Sequence, residues 1–184
     1  MQIYEYFSRD GVLRSLLAAV NKDGFVLPAC KLVESDEGGV NDDILWTWAV
    51  QNLSPVLNRF DDRLLPNSIV MLDNAIIHHQ PRFVRMLQDI GCWVFWLSPY
   101  SPDFSAIEPC FHQVKTWLKR VDPRQDRGLS LATALSCVTP QNMRGYFRKC
   151  GYPLEDAKAE EDEAIGVILC SAAAQALAAK GLLE

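Results

Sequence analysis

The sequence predicts a mixed α/β fold in which helices flank a sheet. Short apolar runs typical of strands alternate with longer segments whose apolar residues follow helical spacing. The composition agrees with a globular domain, since 49% of the residues are hydrophobic and 22% are charged. A chain of 184 residues is long enough for one domain with a sizeable core and a tail.

The first elements are predicted to form a hairpin. The apolar run Val12–Val20 indicates a strand, and the residues Asn21–Gly24 supply turn chemistry. The segment Phe25–Val33 is predicted to be the returning strand. Pro28 within it favours an edge strand or a bulge, because proline has no N–H to donate.

Two helix–strand units are predicted next. Asn41 can cap a helix through Ile44–Asn58 that Pro55 kinks or ends, and the run Ser68–Leu72 predicts a fully buried strand. A second helix, Pro81–Ile90, is followed by a second buried strand, Cys92–Leu97. Gly91 between them suits the left-handed conformation that ends many helices.

The C-terminal part is predicted to be mostly helical, with a polar linker at Asp122–Gly128. An amphipathic helix covers Ser105–Val121, and two helical pieces broken near Pro140 follow it. The stretch Asp156–Ala179 predicts a last helix, acidic at its start and alanine-rich afterwards. We therefore divide the chain into a domain at residues 1–152 and an acidic, Ala-rich helical tail at residues 153–184.

Composition and charge disfavour several classes of protein. No apolar run reaches the roughly 18 residues of a membrane span, and the first residues lack the pattern of a signal peptide, so we expect an intracellular protein without a membrane partner. The six cysteines are scattered without a C-x-x-C motif, which favours reduced core residues over zinc ligands. The net charge of −5 argues against strong nucleic-acid binding by the chain as a whole, although a local basic face remains compatible with it.

Two acidic residues stand where α/β proteins place their active sites. Asp73 directly follows the strand run ending at Leu72, and Glu108 follows the next strand after a short loop. Strands that are consecutive in sequence are often neighbours in space, so we expect both carboxylates at one edge of the sheet. Paired carboxylate oxygens suit Mg²⁺ or Mn²⁺.

Each of these acidic residues also has a purely structural interpretation. Asp73 and Asn74 can serve as turn and cap residues. Ser105 and Glu108 have the spacing of a capping box, in which the serine bonds a backbone N–H and the glutamate reaches back to the start of the helix. Position alone leaves both interpretations open.

Two motifs resemble the mariner-type branch of the DDE transposases. The segment VMLDNAIIHH resembles the D-N-A-x-x-H motif of that family, and WLSPYSPDFSAIEPCFHQVKTWLKR resembles its loop L-P-P-Y-S-P-D-L-N-P-I-E and the helix that follows. The 34 residues between Asp73 and Glu108 match one of the spacings typical of this branch. The hairpin and the block FRKCGY at 147–152 extend the resemblance over about residues 12–152. Paired motifs at this spacing are far more specific than a single short pattern.

The sequence departs from the family pattern at several positions. Ser105 and Ala106 replace the usual Asn-Pro, which is a mild change because serine also caps helices. The first catalytic aspartate of the family lies on a strand before the hairpin, and that strand is expected to precede Met1. Asp10 lies too close to the hairpin to take its place. We expect a catalytic domain truncated at its N-terminus.

The resemblance implies a ribonuclease-H-like mixed sheet flanked by helices, with its first strand missing. It implies that Asp73 and Glu108 each bind one Mg²⁺ or Mn²⁺ ion in two-metal cleavage and transfer of DNA strands. Asn74 and His78 would support this site. With the first aspartate absent, we expect weak metal binding and little or no cleavage. The implied partners are DNA and a second copy or a full-length transposase subunit, and the nucleus is the favoured location.

Basic residues near the two motifs suggest contacts with phosphate groups. Arg82 and Arg85 lie on the helix after the first motif, and Lys115, Lys119 and Arg120 lie on the helix after the second. A solvated helix face is the other interpretation. An alternative function for the whole chain is a non-catalytic remnant of a transposable element that binds nucleic acid or a protein.

Overall fold

The computed structural model describes residues 2–7, 13–35, 40–61, 63, 65–99, 101–120 and 127–152. The strands are β1 Gln2–Phe7, β2 Leu13–Ala18, β3 Val20–Asn21, β4 Gly24–Phe25, β5 Lys31–Ser35, β6 Ile69–Leu72 and β7 Trp93–Trp96. The α-helices are α1 Asp42–Trp48, α2 Pro81–Ile90, α3 Ile107–Leu118, α4 Arg127–Ser136 and α5 Pro140–Lys149. The proposed tail at 153–184, with its predicted helix, lies outside the described residues. Within the described residues, no helix combines the length and apolarity needed to cross a bilayer.

An antiparallel sheet contains the predicted hairpin. Its strand order is β1-β2-β5, so β2 lies between two partners. The prediction that Phe25–Val33 forms one returning strand is wrong. A two-residue ribbon of β3 and β4 comes first, and Leu27–Ala29 then forms a 3-10 turn with Pro28 near its start. Proline cannot donate to a ladder, so the chain joins β2 again only at Lys31.

Strand β1 precedes the hairpin and corrects the expected fold. It pairs antiparallel with β2, with Gln2 opposite Ala18 and Phe7 opposite Leu13. The expectation that the fold has no strand before the hairpin is therefore wrong for this structure. The sequence of β1, QIYEYF, contains no aspartate.

Strands β6 and β7 form a parallel pair. Ile69 pairs with Trp93 and Leu72 with Trp96, and the N–H of Leu97 donates to the Leu72 carbonyl oxygen at 2.8 Å. Their carboxyl ends therefore lie side by side. The prediction of fully buried strands is wrong for both. In β6 only Val70 and Leu72 are buried, and in β7 Phe95 is 38% exposed. Among the described strands β7 pairs only with β6, which leaves it at an edge.

Apolar side chains form clusters on both faces of β2. Leu16 and Ala18 enter one cluster and Leu17 the other, because successive side chains of a strand point to opposite faces. The α3 cluster consists of Leu16, Ala18, Ala106, Ile107, Cys110, Phe111, Val114, Ala134, Leu135, Val138, Met143 and Cys150. The α1–α2 cluster consists of Leu17, Ala29, Val33, Leu45, Trp48, Ala49, Leu53, Val70, Leu72, Phe83, Leu87 and Cys92. Helices therefore cover the sheet on both sides, as the α/β prediction requires.

The ends of α1 and α2 follow the predicted local signals. The Asn41 side chain accepts hydrogen bonds from the N–H groups of Asp43 and Ile44 at the start of α1. Gly91 ends α2 in the left-handed conformation, with a φ of 84°. The helix after Asn41 continues beyond α1 as a π-helical turn and a 3-10 turn that contains Pro55.

Substituting glycine by alanine is expected to have opposite effects at two positions. Gly91→Ala should lower the free energy of unfolding by about 1–2 kcal/mol, because alanine is strained at positive φ and its Cβ would lie 2.9 Å from Cγ of Arg59. Gly145→Ala should raise it by about 0.5–1 kcal/mol, because Gly145 lies within α5 with open space around it. Urea denaturation of the two variants measures both effects. Equal effects of the same sign would contradict this account.

Candidate metal centre

Asp73 occupies the position directly after β6 and is held by two hydrogen bonds. Its Oδ1 atom accepts one from the backbone N–H of Ala75 at 3.1 Å and one from Nδ1 of His78 at 2.6 Å. The first closes a local turn in which an aspartate side chain bonds the backbone two residues on. The second bond comes from the 3-10 turn Ile76–His79, so the chain folds back over the end of the strand.

The two hydrogen bonds leave one oxygen of Asp73 available. Within the described part of the chain, Oδ2 of Asp73 has no hydrogen-bond partner, and the side chain is 31% exposed. Burial raises the pKa of this carboxyl group, but the hydrogen bonds from His78 and Ala75 outweigh burial and hold the pKa below its ordinary value. Asp73 is therefore a carboxylate at neutral pH, and one of its oxygens makes no hydrogen bond to the described residues.

His78 is a buried support for Asp73. A carboxylate only accepts hydrogen bonds, so Nδ1 of His78 carries the hydrogen of this pair. The side chain is 1% exposed and lies beside Phe83 of α2. Its other ring nitrogen, Nε2, is buried without a hydrogen-bond partner among the described residues. His78 thus orients Asp73 from within the protein.

Asn74 connects the loop after β6 to the end of β7. Its Nδ2 atom donates to the Leu97 carbonyl oxygen, and its Oδ1 atom lies 3.3 Å from Nε2 of His79. The His79 ring stacks on Trp96 with ring centroids 4.0 Å apart. The loop that carries Asp73 is therefore fixed to the strand that leads to Glu108.

Glu108 lies half-buried in the first turn of α3, where a negative charge is favourable. The predicted capping box is not formed, because Ala106 is the N-cap residue of α3 and α3 has no side-chain cap among the described residues. Ser105 contributes only its carbonyl oxygen, which accepts from the Glu108 N–H at 3.3 Å. No hydrogen bond or ion pair engages the Glu108 side chain within the described residues, so the structural role proposed for it is absent here.

A tyrosine that sequence reasoning missed holds the loop before Glu108. The hydroxyl of Tyr152 donates to the carbonyl oxygen of Phe104 at 2.9 Å. Phe104 ends the 3-10 turn Pro102–Phe104 that leads into α3. The only sequence signal for this contact is the block at 147–152, which gives no partner for Tyr152.

Comparison with known families decides the family of the chain. A family model for DDE superfamily endonucleases matches residues 16–129, which is more than half of the chain. The chain belongs to the DDE superfamily endonucleases. It is also similar to a structure of the Mos1 mariner transposase catalytic domain, at 16% identity and a TM-score of 0.44, over 84% of this chain and 82% of that one. A structure of the Mos1 catalytic domain and raltegravir with Mg gives 15% identity and a TM-score of 0.46, over 84% and 83%. No curated protein matches the chain.

The donor groups of this chain suit a hard divalent cation. Asp73 and Glu108 both offer carboxylate oxygens without hydrogen-bond partners in the described part of the chain, and such oxygens are the ligands that Mg²⁺ and Mn²⁺ prefer. No group of three or more His, Cys, Asp or Glu that could hold a metal ion occurs in the described ranges. In their donor chemistry Asp73 and Glu108 therefore suit such a cation.

The basic residues predicted to contact phosphate lie on or next to the helices α2 and α3. Helix α2 packs in the α1–α2 cluster and α3 in the α3 cluster, so Arg82 and Arg85 lie on one side of β2 and the α3 residues on the other. Arg82 is already engaged, because its guanidinium binds Asp43 at 2.7 Å and lies 5.5 Å from the centre of the Trp46 ring. Lys115, Lys119 and Arg120 are exposed on and after α3. The rim predicted from the sequence stays a prediction.

Proposed function

We propose that this chain is a mariner-type DDE transposase catalytic domain with a ribonuclease-H-like fold, which binds a divalent cation weakly through Asp73 and Glu108 and cuts DNA poorly or not at all. The observation that carries the proposal is the state of Asp73 at the carboxyl end of β6. One of its oxygens is held by His78 and Ala75, and the other has no partner in the described residues. Metal-binding carboxylates typically have one oxygen oriented by hydrogen bonds from neighbouring residues while the other oxygen binds the metal.

Each residue of the site has a distinct task in this proposal. A bound Mg²⁺ or Mn²⁺ supplies Lewis-acid activation of the attacking and leaving oxygens of a phosphodiester. Asp73 offers Oδ2, and His78 keeps its carboxylate from rotating. Asn74 holds the loop of Asp73 against Leu97, so that it moves together with the strand before Glu108. Glu108 supplies the second carboxylate from the start of α3.

Low activity follows from the number of carboxylates. Two-metal phosphoryl transfer depends almost wholly on positioning and on charge neutralisation. In the family a third acidic residue, on the strand before the hairpin, would help to hold the metals, and no aspartate stands on β1. Two carboxylates neutralise less charge and leave the cations less well fixed.

Contact with DNA is assigned to the basic residues of α3. Lys115, Lys119 and Arg120 are exposed and follow Glu108 on the same helical segment. The net charge of −5 limits the affinity of an isolated chain, and a second copy or a full-length transposase subunit would supply further DNA contacts. Because cleavage and transfer of chromosomal DNA require access to it, we infer that the protein is located in the nucleus.

Titration with Mn²⁺ followed by electron paramagnetic resonance tests the metal site. Asp73→Asn and Glu108→Gln should each lower Mn²⁺ affinity by about tenfold or more, since each removes one charged ligand. Asp89→Asn is the matched control, because Asp89 is an exposed carboxylate on α2, and it should leave the affinity unchanged. A supercoiled-plasmid nicking assay with Mg²⁺ or Mn²⁺ should show little or no product for the wild-type chain.

The outcomes separate the parts of the proposal. Robust nicking that Asp73→Asn abolishes would show that the chain is active and that the low-activity part is wrong. Mn²⁺ binding unaffected by both site substitutions would reject the metal site itself. Salt-dependent DNA binding without any Mn²⁺ binding would favour the non-catalytic remnant.

A further inference from the structure

The hydrogen bond from Tyr152 joins the end of the described chain to the loop before Glu108. It spans 48 positions, from the Tyr152 hydroxyl to the Phe104 carbonyl oxygen. That oxygen belongs to a turn closed by two backbone hydrogen bonds, from Phe104 N–H to Ser101 O at 3.2 Å and from Ser105 N–H to Pro102 O at 2.9 Å. Glu108 follows within four residues, so the tyrosine fixes the approach to α3.

Tyr152 is itself held in place before it makes this bond. Gly151 turns the chain after α5 with a φ of 84°, and the Tyr152 N–H donates to Phe147 O at 3.0 Å. The Tyr152 ring packs edge-on against Phe147, with centroids 5.8 Å apart. Burial raises the pKa of the Tyr152 phenol to about 12, so at neutral pH the hydroxyl is protonated and is a hydrogen-bond donor.

The start of α3 depends on such a tether because it has no cap of its own. No side chain caps the first N–H groups of α3, and Ser105 offers only its backbone oxygen. Buried Ile107 anchors one side of the first turn in the α3 cluster. The half-buried carboxylate of Glu108 emerges from the same turn, and its placement depends on the loop that Tyr152 holds.

We propose that Tyr152 is a positioning residue, which fixes the Pro102–Phe104 turn and thereby sets where the Glu108 carboxylate meets a divalent cation. This inference rests on the proposed function, because it takes Glu108 to be a metal ligand. Tyr152 does not touch the cation and acts only through the backbone of the turn. Its loss therefore weakens metal binding without removing a ligand.

A second tyrosine of the same helical region provides the matched control. The Tyr146 hydroxyl on α5 donates to Oε1 of Gln113 on α3 at 2.5 Å. Tyr146→Phe and Tyr152→Phe each remove one hydroxyl and keep a ring that contacts the region around α3. Only Tyr152 is bonded to the loop in front of Glu108.

Mn²⁺ titration of the 184-residue chain at neutral pH tests the inference. Tyr152→Phe should weaken Mn²⁺ binding about three- to tenfold, which corresponds to the loss of one hydrogen bond in a supporting shell. Tyr146→Phe should leave the affinity within about twofold. In a Glu108→Gln background Tyr152→Phe should have no further effect on Mn²⁺ affinity, because the double-mutant cycle isolates action through Glu108.

Each result supports or overturns the assignment. Unchanged Mn²⁺ affinity in Tyr152→Phe overturns it, provided that Glu108→Gln weakens binding in the same experiment. If neither Asp73→Asn nor Glu108→Gln weakens binding, the proposed metal site has failed first. A Tyr152→Phe chain that does not fold also overturns the assignment, because the hydroxyl would then be required for folding of the whole domain and not for the position of Glu108.

Discussion

Replacing His78 by alanine is expected to lower the free energy of unfolding by about 2–4 kcal/mol. The substitution removes a hydrogen bond to a carboxylate and leaves a cavity next to Phe83. It also frees Asp73 to rotate, because only the Ala75 N–H then holds its Oδ1 atom. Urea denaturation measures the loss of stability, and Mn²⁺ titration should show weaker binding in the same variant.

Two further substitutions define the cause of the His78 effect. His78→Asn should recover part of the lost stability, because the asparagine amide can also donate to Asp73. His79→Ala should cost less than about 1 kcal/mol, because His79 is exposed and makes only a ring stack and a hydrogen bond of 3.3 Å. A loss in His79→Ala as large as in His78→Ala would contradict the assigned role of the buried ring.

The effect of His78→Ala should depend on pH in a defined direction. The folded-state pKa of Asp73 is lowered, so its contribution to stability is present above the unfolded-state pKa of about 4. That contribution is lost as the pH falls through the lower, folded-state value. The difference in stability between wild type and His78→Ala should therefore narrow below about pH 4. A difference that grows on acidification would show that Asp73 is not the partner that matters.

Replacing Trp48 by alanine is expected to lower the free energy of unfolding by about 3–5 kcal/mol. Trp48 is fully buried in the α1–α2 cluster, and its indole N–H donates to the Ala29 carbonyl oxygen at 3.2 Å. The substitution leaves a large cavity and an unpaired carbonyl group in the 3-10 turn 27–29. The midpoint of urea denaturation should fall accordingly.

Neighbouring substitutions separate packing from hydrogen bonding at Trp48. Trp48→Phe should cost less than alanine, because much of the ring volume remains and only the N–H is lost. Trp46→Ala, two residues away in α1, should cost less still, since Trp46 is only half-buried and lies beside Arg82 near the surface. Equal losses at Trp46 and Trp48 would contradict the packing described here.

The elements predicted most accurately are those with strong local signals. Helix α2 begins and ends at the predicted residues because Pro81 suits a first turn and Gly91 suits a left-handed end. The placement of Asp73 after a strand was predictable for the same reason, because the run before it is short and apolar. The family match over 16–129 confirms the family inferred from the two motifs.

Elements that depend on distant partners were not predictable from local pattern. The spacing of Ser105 and Glu108 fits a capping box, yet the turn before α3 is bonded to Tyr152 and the serine side chain does not cap. The run Phe25–Val33 looks continuous in the sequence. In the structure Leu27–Ala29 forms a 3-10 turn that contains Pro28, and the carbonyl oxygen of Ala29 accepts a hydrogen bond from the Trp48 indole. The exposure of Phe95 depends on which strands pair with β7. The pattern of apolar residues along the chain does not reveal the pairing of strands.

The α3 cluster extends past the C-terminal boundary of the family match, and this matters for dissecting the domain. The match ends at residue 129, whereas Met143 and Cys150 are buried against the helix that carries Glu108. A fragment that ends at residue 129 would expose the apolar side of α3 to water. Exposed apolar patches of this kind promote self-association. Expression boundaries for this chain should therefore be set after Tyr152 and not at the limit of recognisable homology.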